Sequence, residues 1–312
     1  MNTRFLETLV MLDRLKSFRQ TAQVLCTTQA AVSKRIEALE EELGVPLVDR
    51  SQRAFKLTIL GEQVVSQAEQ MLTLERQLKL SVHPDAPPSG RVRIGVIETV
   101  VHTWLTQLIQ ALSERLPAIE PDITVDTAYN LREQFRQRRF DLLIQNDDMT
   151  EAAGDGDTAV APLCRFPMQW IARPAMLPKE RDLRLEDLER VPVLTFSRTS
   201  GPRAHVRALF AGRPAEPRVC SFPSVQSIIQ LTKGGFGVAA IPPIFVRDEL
   251  GAGCLEVREG PVLPPMTITV AHLRDTAPAA HAVSRLTRDI VGEYCAEAGE
   301  SWVSDLTAGS PA

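Results

Sequence analysis

A proline-rich stretch, His83-Pro84-Asp85-Ala86-Pro87-Pro88-Ser89-Gly90, divides this sequence into two parts of different periodicity. Closely spaced prolines fix φ, remove backbone donors and push the preceding residue away from helix, so the stretch reads as a linker between folded units. Before it, apolar residues recur at spacings of three and four, the helical period. After it, short β-type runs alternate with helical ones. At 312 residues, the chain is long enough for about two domains of ordinary size.

In the first part, Ser17-Phe18-Arg19-Gln20 has the form of a capping box and predicts a helix start. Phe18, Ala22 and Leu25 mark its buried face, and a preceding helix is predicted from about Arg4 to Leu15 with Phe5, Leu9 and Leu12 inward. Cys26-Thr27 is a short break, and Thr28 is a good N-cap for a helix with Val32, Ile36, Leu39 and Leu43 on one face. Gly44 and Pro46 stop it. Two short helices joined by a tight turn make a helix-turn-helix. Arg50 to Thr58 is basic, with Phe55 and Leu57 two apart, and predicts a small β-wing. Thr58 then caps a long helix reaching about Val82, striped by Leu60, Val64, Ala68, Met71, Leu74 and Leu78. No stretch nearby in sequence covers that stripe. A partner helix is therefore implied, with Leu60, Val64, Met71 and Leu78 as dimerisation residues; packing within its own domain is the competing account.

Composition is that of a globular chain, 44% hydrophobic and 24% charged, with no apolar run near the roughly 18 residues of a membrane span. Arg4, Glu7, Asp13 and Arg14 interrupt the first fifteen positions, unlike a secretory leader. Cys26, Cys164, Cys220, Cys254 and Cys295 are scattered without a C-x-x-C, which fits a reducing cytoplasm and predicts no disulfide, metal or cofactor. No enzyme is expected: G-x-S-x-G, P-loop and H-E-x-x-H are absent, and Gly234-Gly235-Phe236-Gly237 lacks the spacing of a dinucleotide loop.

The net charge of −4 is no signature of nucleic-acid binding, so any such surface must be local. Met1 to Ile36 carries Arg4, Arg14, Lys16, Arg19, Lys34 and Arg35 against Glu7 and Asp13. Arg50, Arg53 and Lys56 form a second basic group, beyond the acidic run Glu37, Glu40, Glu41 and Glu42. With Val32, Ile36 and Leu39 inward, the start of the third helix exposes Gln29, Ala30, Ser33 and Lys34. An amide, a methyl, a hydroxyl and a cation are the groups that read base edges in the major groove.

Beyond the linker, β-runs are predicted at Arg91–Ile97, Ile123–Ala128, Phe140–Ile144, Met168–Ala172, Pro192–Thr195, Gly237–Ala240 and Thr267–Ala271. Helices are predicted at Thr103–Leu116, Leu131–Gln137, Pro202–Ala211, Val225–Lys233 and Pro278–Cys295. Such alternation implies α/β layers with largely parallel pairing, and Trp302–Ala312 reads as a frayed tail.

The residues Ser17-Phe18, Ala22, Leu25, Thr28-Gln29-Ala30-Ala31-Val32-Ser33, Ile36, Leu39-Glu40, Leu43-Gly44, Leu47, Arg50, Leu57-Thr58 and Gly61 together form a spaced signature across three helices and a wing. By it the chain resembles the LysR-type transcriptional regulators. The resemblance continues through Arg93-Ile94-Gly95, Phe140-Asp141-Leu142-Leu143-Ile144 and Gly235-Phe236-Gly237-Val238-Ala239-Ala240-Ile241-Pro242. Thr21, Val48 and Arg139 depart from the usual residues, at packing or turn positions.

The resemblance implies an α/β multidomain protein. A winged helix-turn-helix would occupy 1–58, a linker or dimerisation helix and hinge 59–90, a regulatory domain 91–302 and a tail 303–312. The regulatory domain would be two-lobed and similar to periplasmic binding proteins, with lobe I at about 91–161 and 268–302 and lobe II at about 162–267. Thr28, Gln29, Ala30, Ser33, Lys34, Arg50 and Arg53 would meet double-stranded promoter DNA. Thr99, Thr103, Thr195 and Ser197 would offer hydroxyls to an effector between the lobes, though helix capping is a competing role for each. His102 and Arg198 would complement a carboxylate, while Glu98 would oppose one unless it points away or pairs with Arg198, so the expected effector is a small organic anion or an amino acid. A homodimer or homotetramer that contacts RNA polymerase, with no membrane, completes what the resemblance implies.

Overall fold

The computed structural model describes residues 2–49, 55–81, 87–146, 158–178, 181–213, 217–274 and 276–309. The chain divides into two compact units, Met1–Ala86 and Pro87–Ala312.

The first unit opens with α1 (Thr3–Leu15), α2 (Phe18–Val24) and α3 (Gln29–Leu43), each started by a side-chain cap. Asn2 accepts from the Arg4 amide, Ser17 from Gln20 and Thr28 from Ala31, satisfying donors that a helix start leaves open. Gly44, at φ 71°, adopts the left-handed conformation that ends α3 and donates its N–H to the Glu40 carbonyl. Leu6, Leu9, Leu12, Ile36, Leu39, Leu47 and Leu57 form the core, with Phe5 and Phe18 at its edge. Each large aliphatic side chain buried there contributes about 1.5–3 kcal/mol. An antiparallel bridge between Val48 and Leu57 sets the base of the wing, and the Asp49 amide donates to the Lys56 carbonyl at 2.8 Å. Glu40, one of the acidic run, accepts the Leu47 and Val48 amides at 2.8 and 3.1 Å and so holds that base. Arg50 and Arg53 lie outside the described residues.

Helix α4 (Ile59–Ser81) starts at Thr58, whose hydroxyl accepts the Gly61 amide at 2.9 Å and donates to the Pro46 carbonyl at 2.8 Å. Only glycine fits at 61, because a Cβ there would sit 2.2 Å from the Leu47 carbonyl oxygen. Within the stripe, Ala68 is fully buried and Val64 packs at the core edge, whereas Leu60, Met71, Leu74 and Leu78 are exposed.

In the second unit the strands are β1 (Gly90–Val96), β2 (Ile119–Val125), β3 (Leu142–Gln145), β4 (Thr158–Phe166), β5 (Gln169–Ala172), β6 (Val193–Thr195), β7 (Val219–Ser221), β8 (Val238–Ile241), β9 (Glu256–Arg258), β10 (Met266–Leu273) and β11 (Ser304–Asp305). The helices are α5 (Glu98–Val101), α6 (Leu105–Arg115), α7 (Ala128–Arg136), α8 (Leu185–Glu189), α9 (Gly201–Ala208), α10 (Val225–Lys233), α11 (Arg247–Gly251) and α12 (Pro278–Ala298). Among the described residues, one sheet runs β11-β4-β10-β3-β1-β2 and the other β7-β6-β8-β5-β9. These are the sheets of two α/β lobes over a shared buried core.

The expected alternation of strand and helix is present, with corrections. Pairing is mixed rather than largely parallel. β1 lies parallel to β2 and β3, and β6 to β7 and β8, but β10 is antiparallel to β3 and β4, and β5 to β8 and β9. The second strand ends at Val125, not Ala128, because the Asp126 carboxylate accepts the Thr127 amide at 2.6 Å and Thr127 caps α7. Strand β4 was not expected; it carries Pro162, which faces Thr269 beside a register shift in β10, and a bulge accommodates the missing donor. The lobes change over at Phe166–Gln169 and again between Arg258 and Met266, so β4 and β10 belong to the first lobe over their whole length. Nor is the segment after Trp302 frayed as far as Gly309. Val303 is buried, β11 pairs with β4, and the Leu306 amide donates to the Leu163 carbonyl at 3.0 Å. Among the described residues no helix is long and apolar enough to cross a membrane.

Candidate functional site

Helix α3 presents a polar first turn. Burial of Val32, Ile36 and Leu39 fixes its rotation, leaving Thr28, Gln29, Ala30 and Lys34 exposed and Ser33 half-buried. The Thr28 hydroxyl is occupied by the Ala31 amide at 3.2 Å, so its first role is the cap. Arg35 turns inward and donates to the Thr8 hydroxyl at 3.2 Å, which ties α3 to α1. The groups facing outward are thus an amide, a methyl and an ammonium on the first two turns of the helix, a set that can hydrogen-bond base edges and fit a thymine methyl.

In the second unit, a cavity of about 480 Å³ opens between the two lobes. It lies at the C-terminal ends of β1, β2 and β6, where parallel α/β sheets place their ligand crevices. Lobe I contributes Ile97, Glu98, Thr99, Val101, Val125, Asp126, Thr127, Ala128 and Asn146. Lobe II contributes Phe196, Ser197, Ser200, Pro223, Ser224 and Val225.

Of the six expected effector contacts, Thr99 and Ser197 line this cavity. Thr195 does not. It is fully buried within β6 and donates to the Ala240 carbonyl at 3.2 Å, a tie between strands. Thr103 donates to the Thr99 carbonyl at 2.8 Å within its own helical turn. His102 and Thr103 line a separate cavity of about 500 Å³ with Arg247, Glu249 and Tyr294. Arg198 is exposed and is not among the lining residues of the cleft.

Glu98 is a charged group that joins the lobes across the cleft. Its Oε2 accepts the Val225 amide at 2.8 Å, and its Oε1 accepts the Ser224 hydroxyl at 3.2 Å and pairs with His102 Nε2 at 3.4 Å. Burial acts to raise its pKa, but the hydrogen bonds from His102, the Val225 amide and Ser224 outweigh it and hold the group below the ordinary carboxylate value. A carboxylate at the start of α10 also complements the helix dipole. Asp126 accepts through Oδ1, from the Thr127 amide at 2.6 Å and from the Asn130 side-chain amide at 2.9 Å.

Two domain families cover the chain: "Bacterial regulatory helix-turn-helix protein, lysR family" matches residues 3–62, and "LysR substrate binding domain" matches residues 85–296. This chain belongs to the LysR family. Like other LysR-type regulators it pairs a DNA-binding helix-turn-helix with an effector-binding domain. It is 27% identical over 228 residues to the HTH-type transcriptional regulator YofA of Bacillus subtilis, across 72% of this chain and 76% of that protein. Full-length OxyR from Pseudomonas aeruginosa, as a variant, shares the fold at a TM-score of 0.70 with 22% identity, covering 93% of this chain and 94% of that one. Full-length CbnR complexed with its target DNA superposes at a TM-score of 0.61 with 17% identity, covering 95% and 100%.

For a LysR-type regulator, the residues that sequence reasoning missed are the cleft's own: Asp126, Asn146, Ser200 and Ser224, with the apolar Val125, Phe196 and Pro223. One signal was available. Ser200 and Ser224 stand directly before α9 and α10 as N-caps, and helix starts beyond strand ends are where such crevices form.

Proposed function

We propose that this LysR-type regulator reads promoter DNA with Gln29, Ala30, Ser33 and Lys34 of α3, and that a small molecule in the cleft between the lobes adjusts that binding. The exposed polar first turn of α3, clamped by the buried Val32, Ile36 and Leu39, is the observation that carries the reading. Thr28 contributes as the cap, and Arg50 and Arg53 of the wing add sequence-independent contacts to phosphates. A homodimer or homotetramer, joined along Leu60, Val64, Met71 and Leu78 of α4, would match a palindromic operator. The protein acts in the cytoplasm as a binding protein rather than a catalyst, and meets RNA polymerase at the promoter.

Selection of genomic fragments by the purified protein, followed by anisotropy on the recovered sequence, tests the reading. A common motif should emerge, and Lys34→Ala should weaken its binding. Recovery of fragments without a shared motif would overturn sequence-specific recognition. The cleft's role is tested by asking whether a compound that stabilises the protein also changes its affinity for the recovered site.

A further inference from the structure

We propose that the effector is a small amine, its protonated nitrogen held by Glu98 and Asp126 and its apolar body lodged against Val101, Val125, Phe196 and Pro223. This rests on the reading of the interlobe cleft as the effector site.

At the helix starts around the cleft, the Val225 and Thr127 amides and the Ser224 and Ser200 hydroxyls already donate within the protein. On the lobe II side, the Val225 amide and the Ser224 hydroxyl at the start of α10 both donate to Glu98. At the start of α9, the Ser200 hydroxyl donates to the Ser197 carbonyl at 2.8 Å and accepts the Arg203 amide at 3.4 Å. On the lobe I side, the Thr127 amide donates to Asp126 and the Thr127 hydroxyl accepts the Asn130 amide. An incoming carboxylate would have to displace Glu98 from the start of α10, or Asp126 from the Thr127 amide.

The charges point the same way. Glu98 and Asp126 are the ionisable lining residues, and no lysine, arginine or histidine is among the described lining. His102 pairs with Glu98 but opens on the other cavity. A cation entering here meets two carboxylates in a half-enclosed site, and the bonds it forms are charge-assisted. Asp126 Oδ2 has no hydrogen-bond partner among the described residues, so one acceptor is ready for it. The remaining walls are apolar, which calls for a hydrocarbon body rather than a bare cation.

The test uses the full-length protein and compounds that differ only in charge. Phenethylamine is compared with 2-phenylethanol and phenylacetate, and isoamylamine with isoamyl alcohol and isovalerate, by thermal shift and calorimetry. The amines should bind more tightly than the alcohols, and the carboxylates least. Asp126→Asn should weaken amine binding about tenfold, the loss of one charge-assisted bond. Val125→Trp, which fills the cleft, should abolish it. Failure of both amines to bind overturns the proposal, as does amine binding that Asp126→Asn leaves intact. Carboxylates that outbind the amines, and are excluded by Val125→Trp, would overturn the amine while leaving the cleft as the effector site. Binding of any of the six that Val125→Trp leaves unchanged would place the site elsewhere and remove the reading of the cleft as well.

Discussion

Gln29 and Asp187 show how much a single side chain can settle in each unit. Gln29 is exposed at the first position of α3, where its amide can both donate to and accept from an adenine edge. Gln29→Ala should cost about 1–3 kcal/mol on the selected operator and relax preference at one base pair. Anisotropy on cognate and scrambled duplexes checks this; an equal loss on both would reduce Gln29 to a nonspecific contact. Asp187, in the first turn of α8, is buried. Its carboxylate accepts from Arg181 at 2.6 and 2.8 Å and from the Arg184 amide at 2.8 Å. The Arg181 bonds, helped by the Arg184 amide and opposed by burial, hold its pKa at about 2 against an ordinary 3.8. A depressed carboxylate pKa stabilises the fold above the unfolded value and loses that contribution as pH falls through the folded one. Asp187→Asn should therefore lower stability at pH 7 by on the order of 1–2 kcal/mol. Its denaturation curve should converge with that of the parent as pH falls from about 4 toward 2. A gap that stays constant over that range would show that the carboxylate's charge is not what stabilises the loop.

At the scale of elements, α4 is the helix whose faces disagree. Ala68 is fully buried against α1 and the core, which accounts for one side, yet Met71, Leu74 and Leu78 remain exposed on the same helix. An apolar stripe continuing past the core that covers its first turns calls for a second copy. Met71→Glu or Leu78→Glu would place an unpaired charge in that seam and should shift the oligomer toward smaller species in light scattering. Unaltered oligomers for both would show that the stripe is not the seam. The helices of the first unit were legible because their signals are local: Ser17, Thr28 and Thr58 each cap the helix that follows, and Gly44 ends α3. Strands were less so. Pro162 hid β4, and β11 spans two residues, too few for any period. The cleft was half legible for a related reason. Extending the second strand to Ala128 swallowed Asp126 and Thr127, the turn that ends the strand and starts α7. Thr195 misled in the opposite sense: it does end a strand, but β6 is buried on both faces and its hydroxyl is needed by β8.

At the scale of the whole regulatory unit, two lobes are joined by two changeovers, and Glu98 adds a link across the cleft that is not covalent. It stands on lobe I and grips the first turn of α10 on lobe II, so any ligand that engages it acts on both lobes at once. A ligand can shift a lobe equilibrium only by its difference in affinity for the two arrangements, and a group that already spans the gap is where such a difference arises. Glu98→Gln keeps the side chain's size but removes the charge and turns one acceptor into a donor that cannot satisfy the Val225 amide. Losing a charge-assisted bond there costs about 1.5–3 kcal/mol, enough to speed local opening by about tenfold or more. Hydrogen exchange on the ligand-free protein should therefore quicken at the Val225 amide and stay unchanged from Ile229 to Lys233, whose bonds lie within the helix. Faster exchange throughout lobe II would mean that the fold as a whole had been weakened. No change at Val225 would mean that the lobes hold together without Glu98.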